Sequence, residues 1–396
     1  MADMKWASAI SSESDSAAAV AQVVTTVARS MGGVRPDLAL LFLSPHHREH
    51  YDGIAAAVAE EFAGAVTVGC SGGGVIAAGR ELERTPAIAL VAGALPGVSV
   101  TPFACRMEEL PGGATPDAWR SALRLDSASP AGLLLFPDPF TFDAEAVLSD
   151  LDRVFPDTVV TGGLASGANQ PGENALFAGG RVMRSGVVGV ALDGDLRIDA
   201  VVAQGCRPIG EPMFVTGSER NLVRQLDGRP AFDVLRDTVD GLSPADLELA
   251  RHSLFVGLVM RPRRESYGAG DYLIRNLIGV DPESGVVGVG GAVEEGSVLQ
   301  FHLRDKATSA YDFARMLDQH QNQIPTPPDA VLLFSCLGRG EGLYGVVDHD
   351  SSLLVERFGS VPIGGFFCNG EIGPVQGRTY LHGYTSSMAM LRRGTR

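Results

Sequence analysis

Gly69-Cys70-Ser71-Gly72-Gly73 fits G-x-S-x-G, a spacing that can expose a serine hydroxyl on a sharp turn between a strand and a helix. The preceding Val66-Thr67-Val68 reads as the strand. Acyl transfer from such a serine also needs a histidine, an acid and oxyanion donors. His252, His302, His320, His349 and His382 follow it, but no H-G-G-G-type oxyanion segment does. Gly72, Gly73 and Gly74 are poor openers for the required helix. Two readings stand: a serine hydrolase (esterase or amidase) using Ser71, or a glycine turn in which Ser71 only hydrogen-bonds.

A second set of residues suits recognition of a carboxylate. In "VLQFHLRD" (Val298–Asp305), Gln300, His302 and Arg304 alternate with Leu299, Phe301 and Leu303, so a strand would present them on one face. The planar guanidinium of Arg304 can fork a carboxylate, and Asp305 can cap the helix that follows. Arg275-Asn276 interrupts an apolar run in "LIRNLIG" and offers a second fork. Phe366-Phe367, Asn369 and Glu371 bring an aromatic wall, an amide and a carboxylate together, and an extended "TYLHGYT" would line up Tyr380, His382 and Tyr384. The candidate ligand contacts are Arg275, Asn276, His302, Arg304, Asp305, Phe367, Asn369, Glu371, His382 and Ser71. An amino-acid-like ligand would set its carboxylate on Arg275 or Arg304 and its ammonium on Glu371 or Asp305. The plain alternatives are an ion pair, a helix cap and a half-exposed aromatic stripe.

The elements that must position these residues follow from the rest of the chain. At 396 residues there is length for two or three domains, and 45% hydrophobic with 20% charged residues describes a globular chain. A net charge of −15 gives no footprint for nucleic acid or an anionic membrane, and the short basic run Arg261-Pro262-Arg263-Arg264 reads as a solvated loop. Five scattered cysteines without a C-x-x-C pair point away from a disulfide framework and a zinc site, and toward the cytoplasm. No metal or cofactor is expected, and no apolar run is long enough to span a membrane.

Three segments echo one another. "LALLFLS" (Leu38–Ser44), "GLLLFPD" (Gly132–Asp138) and "AVLLFSC" (Ala330–Cys336) read as buried strands. A helical pattern follows each: Tyr51, Ile54, Val58 and Phe62 in the first, and Leu148, Leu151 and Phe155 after a Thr141 cap in the second. In the third, Asp350 is the expected cap and Gly359 the stop. Then come "VTVGC", "VVTGG" and "VPIGG", with Phe-to-Gly separations of 27, 26 and 30 residues (Phe42–Gly69, Phe136–Gly162, Phe334–Gly364). "AIALVAG", "SGVVGVAL" and "TYLHGYT" are the expected return strands. Aligned on the first glycine, Ser71 corresponds to Leu164 and Phe366, so the turn recurs without the nucleophile. The expected fold is α/β: two domains, residues 1–228 and 229–396, of mixed β-sheets with flanking helices and repeated strand–helix–strand–glycine-loop units. The boundary falls near Asp227–Pro230.

Longer motifs carry a family resemblance. "KWASAIS" (Lys5–Ser11), "GCSGGGVIAAGRELE" (Gly69–Glu83) and "GGLASG" (Gly162–Gly167) resemble the FIST N domain. "YLIRNLIGVDPESG" (Tyr272–Gly285), "VLQFHLRD", "CLGRG" (Cys336–Gly340) and "VPIGGFFCNGEIGPVQGRTYLHGYTSSMAML" (Val361–Leu391) resemble the FIST C domain. The resemblance implies an intracellular sensory module of signal transduction that binds a small ligand, an amino acid or related carboxylate. It supplies no catalytic residues. The length leaves no room for an output domain or F-box, so the resemblance implies a separate signalling partner protein. A pure interaction scaffold is the further alternative.

Overall fold

The computed structural model describes residues 3–113, 115–261, 264 and 266–394; Pro262 and Arg263 of the basic run lie outside the described residues. The chain forms two compact units. One comprises Met1–Val202, Met316–Leu381 and Thr385–Arg396; the other comprises Ala203–Arg315 and His382–Tyr384. The sequence division at 228/229 falls inside the second unit.

The first unit uses one pattern three times. Its first round is β1 (Lys5–Ser11), α1 (Ser16–Met31), β2 (Leu38–Leu43), α2 (Tyr51–Glu61) and β3 (Val66–Ser71), then a hairpin of β4 (Gly74–Ala77) and β5 (Arg80–Glu83), and a return strand β6 (Ile88–Ala94). The second is β7 (Val98–Cys105), α3 (Pro116–Ala122), β8 (Gly132–Pro137), α4 (Ala144–Val154) and β9 (Val159–Gly163), then the hairpin β10 (Leu176–Ala178) and β11 (Arg181–Met183), and β12 (Val187–Gly194). The third opens with β13 (Leu196–Ala203). In sequence it is interrupted by β14 (Cys206–Glu219), β15 (Leu222–Leu226), β16 (Arg229–Pro230), α5 (Ala231–Asp240), α6 (Pro244–Ser253), β17 (Leu254–Val259), β18 (Tyr272–Asp281), β19 (Val286–Val289) and β20 (Val298–Arg304). It resumes with α7 (Lys306–Gln323), β21 (Ala330–Cys336), α8 (Glu341–Tyr344), α9 (His349–Phe358), β22 (Ile363–Cys368), the hairpin β23 (Glu371–Val375) and β24 (Arg378–His382), and β25 (Ser386–Arg393).

Each round centres a six-stranded mixed sheet: β1-β6-β2-β3-β10-β11, β7-β12-β8-β9-β23-β24, and β13-β25-β21-β22-β4-β5. In all three, the central strand pairs in parallel with the strand after the helix and antiparallel with the return strand. The hairpins trade places. The first round's hairpin joins the third sheet, the second's joins the first, and the third's joins the second. This cyclic exchange pairs the outer ladder of β3, β9 and β22 with a strand from another round, so that the hairpin strands β11, β24 and β5 form the edges. Mixed sheets with flanking helices make the fold α/β, as the sequence pattern implies.

The Leu-Leu-Phe echo has a packing cause. Phe42, Phe136 and Phe334 sit at equivalent positions near the ends of their central strands and converge with Phe366, ring centroids 5.0–6.1 Å apart. All four are fully buried. Leu41 and Leu43 on the other face of β2 pack against α1 and α2 with Val23, Val27 and Val58. Both faces being covered, the strand reads as a continuous apolar run.

Strand pairing also fixes the glycine register. Gly69 lies opposite Leu41, Gly162 opposite Leu135, and Gly365 opposite Leu333. A Cβ on these glycines would sit 1.8, 2.0 and 1.8 Å from the facing carbonyl oxygen. The third equivalent glycine is therefore Gly365, not Gly364, and Ser71 corresponds to Leu164 and Phe367. One residue further back, Cys70, Gly163 and Phe366 are equivalent. A Cβ on Gly163 would meet Cys368 Sγ at 2.3 Å and Phe366 Cζ at 3.3 Å, so one phenyl ring fills the hub and its counterparts stay small.

Three local expectations are corrected. The α4 N-cap is Asp143, whose carboxylate accepts from Ala146 N at 3.1 Å, while the Thr141 hydroxyl donates to Asp138. Asp350 is not a cap: it is inside the first turn of α9, buried and paired with Arg339 (Nε–Oδ2 3.0 Å), and Asp348 precedes the helix with φ +58°. The third return strand is Ser386–Arg393, because "TYLHGYT" leaves β24 at His382 and Tyr384 turns to φ +64°.

Glu81 of β5 fastens its hairpin to this helix start. It accepts from Ser351 N at 2.6 Å, and its own N–H donates to Asp348 Oδ1 at 2.6 Å. Burial and the neighbouring Asp350 push its carboxyl up to about 8.

The second unit is an antiparallel sheet, β14-β20-β17-β18-β19-β15-β16, closed on itself by an additional β14–β15 pairing. Val256, Leu299, Phe301 and Leu303 form a core with Val234 and Leu235 of α5.

Candidate functional site

The sequence candidates fall into two groups, one in each compact unit. In the second unit, β20 carries Gln300, His302 and Arg304. Phe255 of β17 lies opposite His302, and Asn276 of β18 lies opposite Phe255. Asn276, Phe255, His302 and Arg304 thus share one face of the sheet. The opposite face holds Leu299, Phe301 and Leu303, as the alternation requires, but β20 is buried on both faces rather than half-exposed.

Arg304 is the unusual member of that face. Its guanidinium carbon lies 4.8 Å from the centroid of Tyr384 and 5.7 Å from that of Phe255, whose rings are themselves 4.2 Å apart. The Nε and Nη1 of Arg304 are buried and have no hydrogen-bond partner. Cation–π contact offsets part of the desolvation of a guanidinium, by about 0.5–2 kcal/mol, but supplies no acceptor for its N–H groups. Tyr384 is held at φ +64°, an uncommon conformation for a bulky residue, with its hydroxyl donating to Asn276 Oδ1.

His302 is fully buried, and its Nδ1 lies 3.1 Å from the Gln300 carbonyl. That contact makes Nδ1 the protonated nitrogen and leaves Nε2, which has no partner, as a bare acceptor. Burial pushes the imidazole down to about 4, against the smaller opposing effect of the Gln300 carbonyl, so it is neutral at pH 7.

The other candidates in this unit lie elsewhere. Arg275 pairs with Val256 across the ladder, so it leaves the sheet on the face opposite Asn276 and Arg304. Its Nη1 donates to the Ile274 carbonyl at 3.1 Å. Asp305 caps α7, accepting from Thr308 N at 2.7 Å, and pairs with Arg207 Nε at 3.0 Å. Those N–H donors, chiefly Thr308 N, hold its carboxyl below the usual range against the opposing pull of burial. His382 is buried in the short segment His382–Tyr384.

Ser71, Phe367, Asn369 and Glu371 belong to the first unit, where three equivalent loops meet at the C-terminal ends of the parallel strands. Gly73 N donates to Ser166 Oγ at 2.8 Å, Ser166 Oγ donates to the Phe367 carbonyl at 2.5 Å, and Ser166 N donates to the Ser71 carbonyl at 3.0 Å. Leu164 N donates to the Gly370 carbonyl and Asn369 N to the Leu164 carbonyl, at 2.9 and 3.2 Å. Above this floor lies a cleft of about 410 Å³ lined by residues that include Pro45, His46, Gly73, Phe140, Leu337 and Asn369. Gly73, Ser166 and Asn369 are equivalent positions of the three rounds.

Ser71 itself lies beneath the floor, 2% exposed. Its hydroxyl accepts from Ala175 N at 3.0 Å and lies 3.5 Å from Asn174 Oδ1. The chain after it enters strand β4 rather than a helix, so the elbow geometry a nucleophile needs is not formed. Glu371 is fully buried, and its Oε2 accepts from Thr385 N at 3.1 Å and Thr385 Oγ1 at 2.8 Å. The sequence reading did not single out Phe255, Ser166, Phe140 or Leu337. Ser166 becomes visible once the rounds are aligned on the strand-paired glycines, where it matches Asn369, whereas Phe140 and Leu337 carry no such signal.

The FIST N domain signature matches residues 37–229 and the FIST C domain signature residues 231–374. An uncharacterized protein of Mycobacterium tuberculosis (strain H37Rv) is 37% identical over 96% of this chain and 98% of its own length. One of Mycobacterium bovis is 37% identical over 91% and 92%. An F-box/LRR-repeat protein of Arabidopsis thaliana is 26% identical over 62% of this chain and 52% of its own length. With two domain signatures reaching from residue 37 to residue 374, the chain belongs to the FIST family, whose domains are sensory domains of signal transduction that bind small ligands.

Proposed function

We propose that this protein is a cytoplasmic sensor for a small carboxylate, an amino acid or a related organic acid, held by Arg304 on the face of the second unit's sheet that carries His302 and Asn276. The observation that carries the reading is the pair of buried Arg304 N–H-bearing nitrogens, Nε and Nη1, that lack an acceptor. Each of these N–H groups can donate to a carboxylate oxygen, Nε on the edge it shares with Nη2 and Nη1 on the end it shares with Nη2. Tyr384 and Phe255 supply the apolar wall beside the guanidinium. The ammonium of an amino acid would go to neutral acceptors, Asn276 Oδ1 and the Tyr384 hydroxyl oxygen, since Asp305 is engaged with Arg207 and Thr308. Cytoplasmic location is supported by five scattered cysteines without a C-x-x-C pair. Signal output would then pass through a separate partner protein.

A thermal-shift screen of the amino acids and small organic acids tests the reading. A ligand present at about a hundred times its Kd adds about 2.7 kcal/mol of stability. At least one carboxylate should raise the melting temperature of the wild type and leave Arg304→Ala unmoved. A flat screen, or hits that shift both proteins equally, would refute it.

A further inference from the structure

We infer that the cleft where the three loops of the first unit meet is a second ligand site, for an uncharged flat molecule with an amide or lactam edge. This inference is independent of the Arg304 reading and concerns other residues. In open α/β sheets, ligands bind beyond the C-terminal ends of the parallel strands. Here the ends of β2–β3, β8–β9 and β21–β22 all contribute: Pro45 and His46 follow β2, Phe140 follows β8, Leu337 follows β21, and Gly73, Ser166 and Asn369 follow their partners. At about 410 Å³ the cleft falls within the range of small-molecule pockets.

The cleft is preformed. Five hydrogen bonds between the loops pin its floor, and its glycines permit the close approach. A Cβ on Gly73 would meet Leu337 Cδ2 at 2.4 Å, and one on Gly167, at φ +89°, would meet Pro45 Cγ at 2.5 Å. A site already ordered pays no loop-ordering cost on binding.

The lining sets the ligand class. Among the described residues it includes no Asp, Glu, Lys or Arg, and its one imidazole, His46, has Nδ1 3.4 Å from the Ser44 hydroxyl. The nearby Arg48 is engaged with the Gly167 carbonyl at 3.3 Å and Glu173 at 3.5 Å. A charged ligand would lose hydration there without a counter-charge. Phe140 and Leu337 are 40% and 42% exposed and stand as apolar walls. The Ser166 hydroxyl is spent on Gly73 and Phe367, which leaves the exposed Asn169 and Asn369 carboxamides, each with a donor and an acceptor side by side, as the complement of an amide edge.

Ligand-observed NMR titration with benzamide, with benzoate and benzamidine as charged counterparts, tests this. Benzamide at about 10 mM should bind the wild type with a measurable Kd. Asn369→Leu and Phe140→Ala, at exposed positions, should each weaken it tenfold or more with unchanged melting temperature. Arg304→Ala should leave the benzamide Kd as it is, which separates this site from the carboxylate site. No benzamide binding, binding unchanged in both cleft variants, or tighter cleft-dependent binding of either charged counterpart would overturn the inference.

Discussion

Gly162 lies so close to the Leu135 carbonyl oxygen that a Cβ on it would sit 2.0 Å away, at φ +146°. Gly69 and Gly365 stand in the same relation to Leu41 and Leu333. These contacts hold the parallel strand of each round against its central strand. Gly162→Ala should therefore cost about 2–4 kcal/mol or prevent folding, through backbone strain plus overpacking. Urea unfolding reads this directly, and a loss below about 1 kcal/mol would show that the strand pair can spread.

How far the sequence announced this architecture depends on the range of each signal. The Leu-Leu-Phe strands, their helices and the glycines after them are local, and the apolar runs state plainly that both faces are buried. The glycine register is not local, because Gly364 and Gly365 are told apart only by which one faces Leu333. The hairpin exchange was illegible for the same reason: β4, β10 and β23 each pair with a strand of another round. At the candidate sites, alternation placed His302 and Arg304 on one face correctly. The opposite orientation of Arg275 required the β17–β18 register, and the Arg339–Asp350 pair bridges segments whose spacing gives no periodic signal.

Glu81 should make stability fall as pH rises. Its carboxyl is held at about 8 in the fold by burial and then by Asp350, against 4.5 for the ordinary group. Its stabilising contribution is complete below about 4.5 and is lost as pH rises through about 8, with a slope of at most about 1.4 kcal/mol per pH unit. Glu81→Gln keeps an oxygen for Ser351 N and removes the titration. Its stability relative to wild type should improve steadily from pH 5 to pH 8. Parallel stability curves for the two proteins would contradict the assignment.

His302 titrates in the opposite sense. Its folded value of about 4 lies below the ordinary 6.5, so its contribution is present above pH 6.5 and is lost as pH falls through about 4. Long-range ¹H–¹⁵N NMR should find the ring neutral, protonated on Nδ1, at pH 5.5. A midpoint near 6.5, or the Nε2-protonated tautomer, would remove the bare acceptor from the polar face.

The central claim is that Arg304 binds a carboxylate through N–H groups that lack an acceptor in the unliganded fold. Calorimetric titration of the strongest acid from the thermal-shift screen into wild type, Arg304→Lys and Arg304→Ala tests it most directly. Loss of a charge-assisted pair should weaken binding by about 1.5–3 kcal/mol, roughly ten- to a hundredfold, in Arg304→Ala. Arg304→Lys should fall between, because an ammonium keeps the charge but not the fork. Equal affinity in all three proteins would contradict the account.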